Sequence, residues 1–247
     1  MALFTFGDPH LSFGNPEKTM VRFGEVWIDH EKKIKENCNR LISPNDTLVI
    51  DGDLSWGKKL EECKEDLNFL AALPGRKILI RGNHDMFWTV NKTASLNERF
   101  KDQFFFLQNN FAPYQDYAIV GTKGFCFEGP FYLDAFGKVV GYDEEAEAQA
   151  DKLVERELGR LKLSFDAAIA SGYHKFILFL HYPPTSMIET ESPFTKMAEK
   201  YHVEQVIYAH SHGKEHFHES IQGIFHGINY SLVSGDYLNF VPKKILD

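Results

Sequence analysis

Very little in this sequence suits a secreted, membrane-embedded or nucleic-acid-coating protein. Three cysteines, Cys38, Cys63 and Cys126, are odd in number and far apart. They form no Cys-x-x-Cys, which argues against a disulfide framework or a structural zinc knuckle and for reduced thiols in a cytoplasmic protein. No apolar run reaches the roughly 20 residues that a membrane-spanning helix needs, so no membrane partner is expected. The opening Met1-Ala-Leu-Phe-Thr-Phe lacks a basic segment and a cleavage site, so a secretory leader is not expected either. Positive charge is short as well: 27 Lys and Arg against 35 Asp and Glu give a formal charge of −8. A protein that holds nucleic acid by its phosphates needs a basic footprint, so that class is disfavoured. An anionic substrate is not excluded, because divalent cations in a site reverse the local potential. Internal repeats, low-complexity tracts and flexible linkers are missing, and a single domain over 1–247 is the expectation.

Histidine is in good supply. Eleven of them in a chain with no terminal tag suggest that several do chemistry. The chain is organised around Arg81-Gly82-Asn83-His84-Asp85, which follows the apolar run Lys77 to Ile80. A random shuffle of this composition yields Gly-Asn-His-Asp roughly 0.002 times, so a mere turn is a poor account of it.

Four other apolar runs end the same way. Ala2 to Phe6 leads to Asp8-Pro9-His10, and Thr47 to Ile50 leads to Asp51-Gly52-Asp53. Lys175 to Leu180 stops at His181, and Val203 to Tyr208 stops at Ala209-His210-Ser211-His212. Helical periodicity lies between them: Gly24 to Leu41, Lys58 to Leu73, about Phe87 to Phe100, Tyr142 to Ala170, and Phe194 to Tyr201. The order β-α-β-α-β marks a layered α/β domain. Phe104 to Phe106 and Tyr117 to Val120 read as strands of a second sheet. Gly124 to Gly141 reads as a loop, with a lid over the site and a plain surface excursion equally compatible. The tail, Glu215 to Phe240, alternates in short pieces as antiparallel strands do.

Each of these strand ends has an ordinary explanation alone: a capping Asp, a turn Asn, a packed histidine. Five in one α/β chain point to convergence, since parallel neighbours bring their carboxyl ends to one edge. Mixed imidazole and oxygen donors suit Mn²⁺, Fe²⁺ or Zn²⁺ better than Ca²⁺ or a purely aqueous Mg²⁺ site. A carboxylate such as Asp53 can bridge two cations, and the water they share becomes a hydroxide near neutral pH, placed to attack phosphorus. His84 is free to protonate the leaving oxygen, with Asp85 fixing its tautomer.

The set Asp8-Pro9-His10, Gly52-Asp53, Gly82-Asn83-His84-Asp85, His181 and Ala209-His210-Ser211-His212 resembles, in order, the motifs of the calcineurin-like metallophosphoesterases. The resemblance spans nearly the whole chain. It implies a four-layer α/β/β/α sandwich with two mixed sheets and a dinuclear metal site at strand carboxyl ends. It further implies that Asp8, His10 and His212 hold one divalent ion and Asn83, His181 and His210 the other. Asp53 would bridge them, and His84 with Asp85 would be the acid pair. The expected activity is hydrolysis of a small phosphomonoester or phosphodiester. A non-catalytic scaffold of the same fold and a nuclease are the competing classes. Ala209 departs from the family's usual glycine, which matters if that position needs a positive φ. Gly-Asp-Leu-Ser-Trp and the final Asp of the third motif depart from the protein Ser/Thr phosphatase branch, and the flanking His10-Leu-Ser-Phe-Gly14, His181-Tyr-Pro-Pro184 and Ser234-Gly-Asp-Tyr-Leu-Asn-Phe240 resemble stand-alone bacterial members.

The other histidines, His30, His174, His202, His216, His218 and His226, read as surface or packing residues, with His216 and His218 the strongest exceptions. Trp56, Phe87, Trp88, Phe125 and Phe127 flank the motifs and read as core more than as a platform for a nucleobase.

Overall fold

A computed structural model describes residues 1–125, 131–133, 139–142, 144–186 and 189–247, with side chains 131–133, 139–142 and 144–148 outside the description. The strands are β1 (Leu3–Gly7), β2 (Thr47–Asp51), β3 (Arg76–Ile80), β4 (Phe104–Leu107), β5 (Phe111–Tyr114), β6 (Tyr117–Thr122), β7 (Phe131–Leu133), β8 (Val139–Tyr142), β9 (Lys175–Leu180), β10 (Gln205–Tyr208), β11 (Gly223–Phe225), β12 (Ile228–Leu232) and β13 (Lys243–Leu246). The helices are α1 (His30–Leu41), α2 (Lys64–Ala71), α3 (Thr93–Arg99), α4 (Glu144–Ala170) and α5 (Pro193–Lys200).

Two mixed sheets form the centre. One runs β13-β1-β2-β3-β4 and the other β11-β12-β10-β9-β6-β5. In the first, β1 to β4 are parallel and β13 is antiparallel to β1. In the second, β12, β10, β9 and β6 are parallel, with antiparallel β11 and β5 at the edges.

Alternation along each strand explains why both sheets are covered on both faces. Phe4 and Phe6 of β1, Leu48 and Ile50 of β2, and Leu79 of β3 pack outward on Ile34 and Cys38 of α1 and Leu67 and Leu70 of α2. Phe176, Leu178 and Leu180 of β9 pack outward on Leu161 and Phe165 of α4 and Phe194 of α5. The residues between, Leu3, Val49, Ile78 and Ile80, meet Ile119, Ile177, Phe179 and Ile207 of the second sheet. The layers are therefore α/β/β/α. Each fully buried large apolar side chain contributes about 1.5–3 kcal/mol, so all three contact layers matter to stability.

Several elements differ from the sequence expectation. Phe104–Leu107 pairs with β3, so it is the edge of the first sheet rather than part of the second. An all-Phe run carries no mark of which sheet it joins. The segment 24–41 divides into a 3₁₀ turn at Glu25–Trp27 and an α-helix only from His30, because Asp29 takes a left-handed φ of 52° and interrupts the chain. Lys58 to Cys63 is turn: the Cys63 thiol points to the Gly57 carbonyl and the Lys58 amide donates to Glu62. Gly124 to Gly141 is not plain loop, since β7 and β8 pair antiparallel; the rest of that segment, and its lid role, lie outside the described residues. Of the tail, β12 pairs parallel with β10, and β13, beyond the expected span, closes the first sheet. Cys38 and Cys63 are buried free thiols, their pKa pushed up to about 12 by burial; Cys126 lies outside the described residues. Among the described residues, no helix is long and apolar enough to cross a membrane.

The sheets meet at one edge. The Gly7 amide donates to Val233 at 2.7 Å, and Gly7 bridges Ser234. A Cβ on Gly7 would stand 2.5 Å from Ala209 Cβ and 2.9 Å from the Asp51 carbonyl. Ala209 is absent from the positive-φ residues, so replacing glycine there stores no backbone strain. Gly7→Ala is expected to cost about 2–3 kcal/mol by overpacking, with part restored by adding Ala209→Gly. Urea unfolding of the single and double variants checks this; equal losses would mean that Ala209 is not the limiting contact.

Candidate metal centre

Parallel pairing places the ends of β1, β2 and β3 side by side, and those of β9 and β10 across from them. Asp8, His10, Asp53, Asn83, His84, Asp85, His181, His210 and His212 all follow these ends. The backbone there is shaped for it: Asp8 (φ 54°), His10 (42°), Asp53 (49°) and His210 (71°) are left-handed. Asp and His occupy that region more readily than most residues, and such outliers cluster at functional sites. Gly82 is required by close approach, since a Cβ there would lie 2.1 Å from Asp53 Oδ1.

Two donor groups result, one of Asp8, His10 and His212 and the other of Asp53, His181 and His210. Within each, the donor atoms lie within 4.8 Å of one another. Nε2 of His10 stands 3.2 Å from Nε2 of His212. Two imidazole nitrogens about 2.1 Å from one tetrahedral ion would be about 3.4 Å apart, close to this separation. Asn83 Oδ1 faces His181 Nε2 at 2.8 Å, which brings the amide oxygen to the second group. Asp53 lies between: its Oδ2 is 3.6 Å from His10 Nε2 and 3.5 Å from His181 Nε2. The other oxygen, Oδ1, accepts the His84 amide at 2.8 Å.

The donors fit a cation on a second count. Asp8, Asp51, Asp53 and Asp85 are essentially without solvent contact. Asp8 Oδ1, both Asp51 oxygens and His10 Nδ1 are buried with no hydrogen-bond partner among the described residues. So much buried carboxylate calls for positive charge. Burial opposes the charged form of His181, yet Asp53, Asp8 and Asp51 outweigh it and lift its pKa to about 10. Burial likewise opposes ionisation of Asp53, but His181, His10 and His84 hold it below the usual carboxylate range. His210 goes the other way, to about 3, through burial and the neighbouring His181 charge. A cation supplies the charge that these carboxylates otherwise draw from imidazolium.

His84 stands apart. Its side chain is 37% exposed, Nε2 is 4.0 Å from Asp53 Oδ2, and burial lowers its pKa. Asp85 does not reach its ring. Both Asp85 oxygens accept backbone amides at 2.8 Å, from Leu54 and from Gly82, so the carboxylate ties the second motif loop to the third. Burial and the Asp53 charge raise its pKa to about 7.

Three supporting residues escaped the reading of the sequence. Asp236 accepts from His212 Nδ1 and from the Gly213 amide, each at 2.9 Å, which leaves His212 Nε2 facing Asp8 Oδ2 at 3.8 Å. The signal was present, for Asp236 follows β12 as the other acidic loops follow their strands. His30 faces the Pro9 carbonyl through Nε2 at 3.0 Å and the Trp27 carbonyl through Nδ1 at 3.1 Å beneath the first motif, and its neutral ring donates to one of the two. Trp56 stacks on His10 at 5.0 Å and meets His84 at 4.4 Å, so it packs the site's own imidazoles. Phe87 and Trp88 are core, Phe125 packs on the second sheet, and Phe127 lies outside the described residues. His174, His202, His216, His218 and His226 join neither donor group.

The chain matches the calcineurin-like phosphoesterase family model over residues 1–214. It belongs to that family, and membership together with the two donor groups supports a metal-dependent phosphoester hydrolase that uses divalent ions. The matched span stops short of Asp236. No curated protein matches the chain. Among solved structures it is similar to a protein of unknown function from Aquifex aeolicus, at 18% identity over 98% of this chain and 95% of that one, with a TM-score of 0.53. It is also similar to the phosphopantetheinyl hydrolase of Mycobacterium tuberculosis, at 14% identity over 99% and 95%, with a TM-score of 0.54. Identities this low establish the shared fold alone.

A carboxylate that orients a histidine ligand typically governs 10–100-fold in metal affinity. Asp236→Asn is expected to weaken divalent-ion binding by about that factor with the fold retained. Calorimetric titration alongside a melting curve reads both, and unchanged affinity would remove Asp236 from the centre's support.

Proposed function

We propose that this chain, as one domain over 1–247, hydrolyses a small phosphate ester at a dinuclear centre. The observation that carries the proposal is the placement of Asp53 Oδ2, 3.6 Å from an imidazole of one donor group and 3.5 Å from an imidazole of the other. Asp8, His10 and His212 would hold one divalent ion and Asn83, His181 and His210 the other, with Asp53 shared. Such a donor set suits Mn²⁺, Fe²⁺ or Zn²⁺. When bound, the ions supply Lewis acidity and a nucleophilic water near neutral pH.

The chain's own residues do the rest. Asp236 and His30 hold the ligand loops in register, and Asp85 ties the second loop to the third. His84 Nε2 is the partly exposed imidazole next to Asp53, placed to give a proton to the departing ester oxygen. General-acid assistance of this kind is worth about 10²–10⁴-fold in rate. Two buried free thiols support a reducing, cytoplasmic setting.

Metal-stripped protein reloaded singly with Mn²⁺, Zn²⁺, Fe²⁺ or Mg²⁺ should hydrolyse p-nitrophenyl phosphate or its bis ester. Asp53→Asn is expected to lose metal and activity together. His84→Ala should keep its metal and lose at least about 10²-fold in turnover. Equal metal loss in both variants would break the division of roles, and two bound ions with no turnover of either ester would sink the hydrolase reading.

A further inference from the structure

Next to the metal donors lies a second cluster of opposite charge. Arg81 directly follows β3 in the first sheet, and Lys123 directly follows β6 in the second, so both sit at the edge that carries the donors. Helix α4 crosses the same edge with Arg156 and Arg160. Glu157 is fully buried beneath them: Thr122 Oγ1 donates to it at 2.7 Å, Arg156 Nη2 at 3.3 Å, and Arg160 also pairs with it. Arg81 donates through Nε to the Trp88 carbonyl at 2.5 Å. Arg81 and Lys123 each lie close enough to Glu157, Arg156 and Arg160 to sense their charges.

Arg156 and Arg160 thus pair with one carboxylate, Glu157, while Arg81 senses Asp85 as well and Lys123 lies over the Tyr182 ring, in a chain whose formal charge is −8. Mutual repulsion makes such a group costly unless an anion uses it. Burial depresses Lys123 to about 8, with Glu157 opposing the shift and the neighbouring guanidinium groups adding to it. The cluster is also within a substrate's reach of the centre. Tyr182 links them: its ring is 4.3 Å from the His210 ring and 4.6 Å from Lys123 Nζ. Glu157 pre-organises the two arginines, and guanidinium forks are well matched to phosphate oxygens.

We propose that Arg81, Lys123, Arg156 and Arg160 form an anion subsite that takes a second phosphate carried by the same small molecule whose ester is cut. The inference rests on the phosphoesterase reading and narrows it: the preferred substrate is a bisphosphorylated metabolite or a nucleotide with more than one phosphate.

The test uses holoenzyme with fructose bisphosphate and adenosine diphosphate, each beside its monophosphate, following phosphate release and calorimetric binding. Lys123→Gln and Arg156→Ala are the variants, since both leave the Arg160 pair to buried Glu157 intact. Wild type should favour a two-phosphate compound by about tenfold or more in at least one pair. Each variant should reduce that preference at least about threefold, while turnover of p-nitrophenyl phosphate stays within about twofold. An unchanged preference in the variants, or equal losses on one-phosphate and two-phosphate compounds, overturns the subsite. Selective two-phosphate binding without any hydrolysis would leave the subsite standing and refute the hydrolase reading instead.

Discussion

Four aspartates held away from water are the constraint on which the rest of this structure depends. Asp8, Asp51, Asp53 and Asp85 occupy the seam between two sheets that pack on each other through a largely apolar layer. Charges so placed are tolerated only where each finds compensation. Asp85 finds it in two backbone amides, and Asp53 in one amide and the imidazoles around it. Asp8 binds the His210 amide through one oxygen and leaves the other without a hydrogen bond. The residual demand for positive charge is what makes this seam a receptor for divalent cations.

The fold meets that demand by geometry rather than by long-range field. Donors come from loops after five parallel strands, and each loop is tied to its neighbour. The His10 amide binds the Asp53 carbonyl at 2.9 Å, the His84 amide binds Asp53, and the Ala209 amide binds the His181 carbonyl at 3.1 Å. Because motif residues donate from their backbones to one another's acceptors, displacing one loop disturbs the next. The left-handed backbone at Asp8, His10, Asp53 and His210 is sustained by the same ties. Charge then divides along the edge: carboxylates at the seam, and cations beside Tyr182. That division suits a molecule with one phosphate at the metals and another at the guanidinium groups.

The motif residues were legible because strand ends in α/β sheets have a local signature: an apolar run stopped by Gly, Asp, Asn or His. The apolar runs of β1, β2, β3, β9 and β10 were legible for the same reason. Where periodicity ran through a kink it misled, as at Asp29, where a single left-handed residue shortened an expected helix, and at Lys58 to Cys63, where side-chain bonds to a turn replaced helical ones. Phe104–Leu107 was expected in the second sheet and pairs in the first, because pairing partners distant in sequence leave no mark on an all-apolar strand.

What the sequence alone determined is the chemistry of the site: which residue types stand at strand ends, in what order, and hence the family. Local patterning is enough for that, since strand, turn and donor identity are encoded within a few residues. Only the tertiary structure decided the distances among the donors, that Asp85 serves backbone amides and that Asp236 orients His212. It also decided that Arg81, Lys123, Arg156 and Arg160 belong together. Those relations join residues tens to hundreds of positions apart, and they exist only once two sheets have packed and brought their strand ends to one edge.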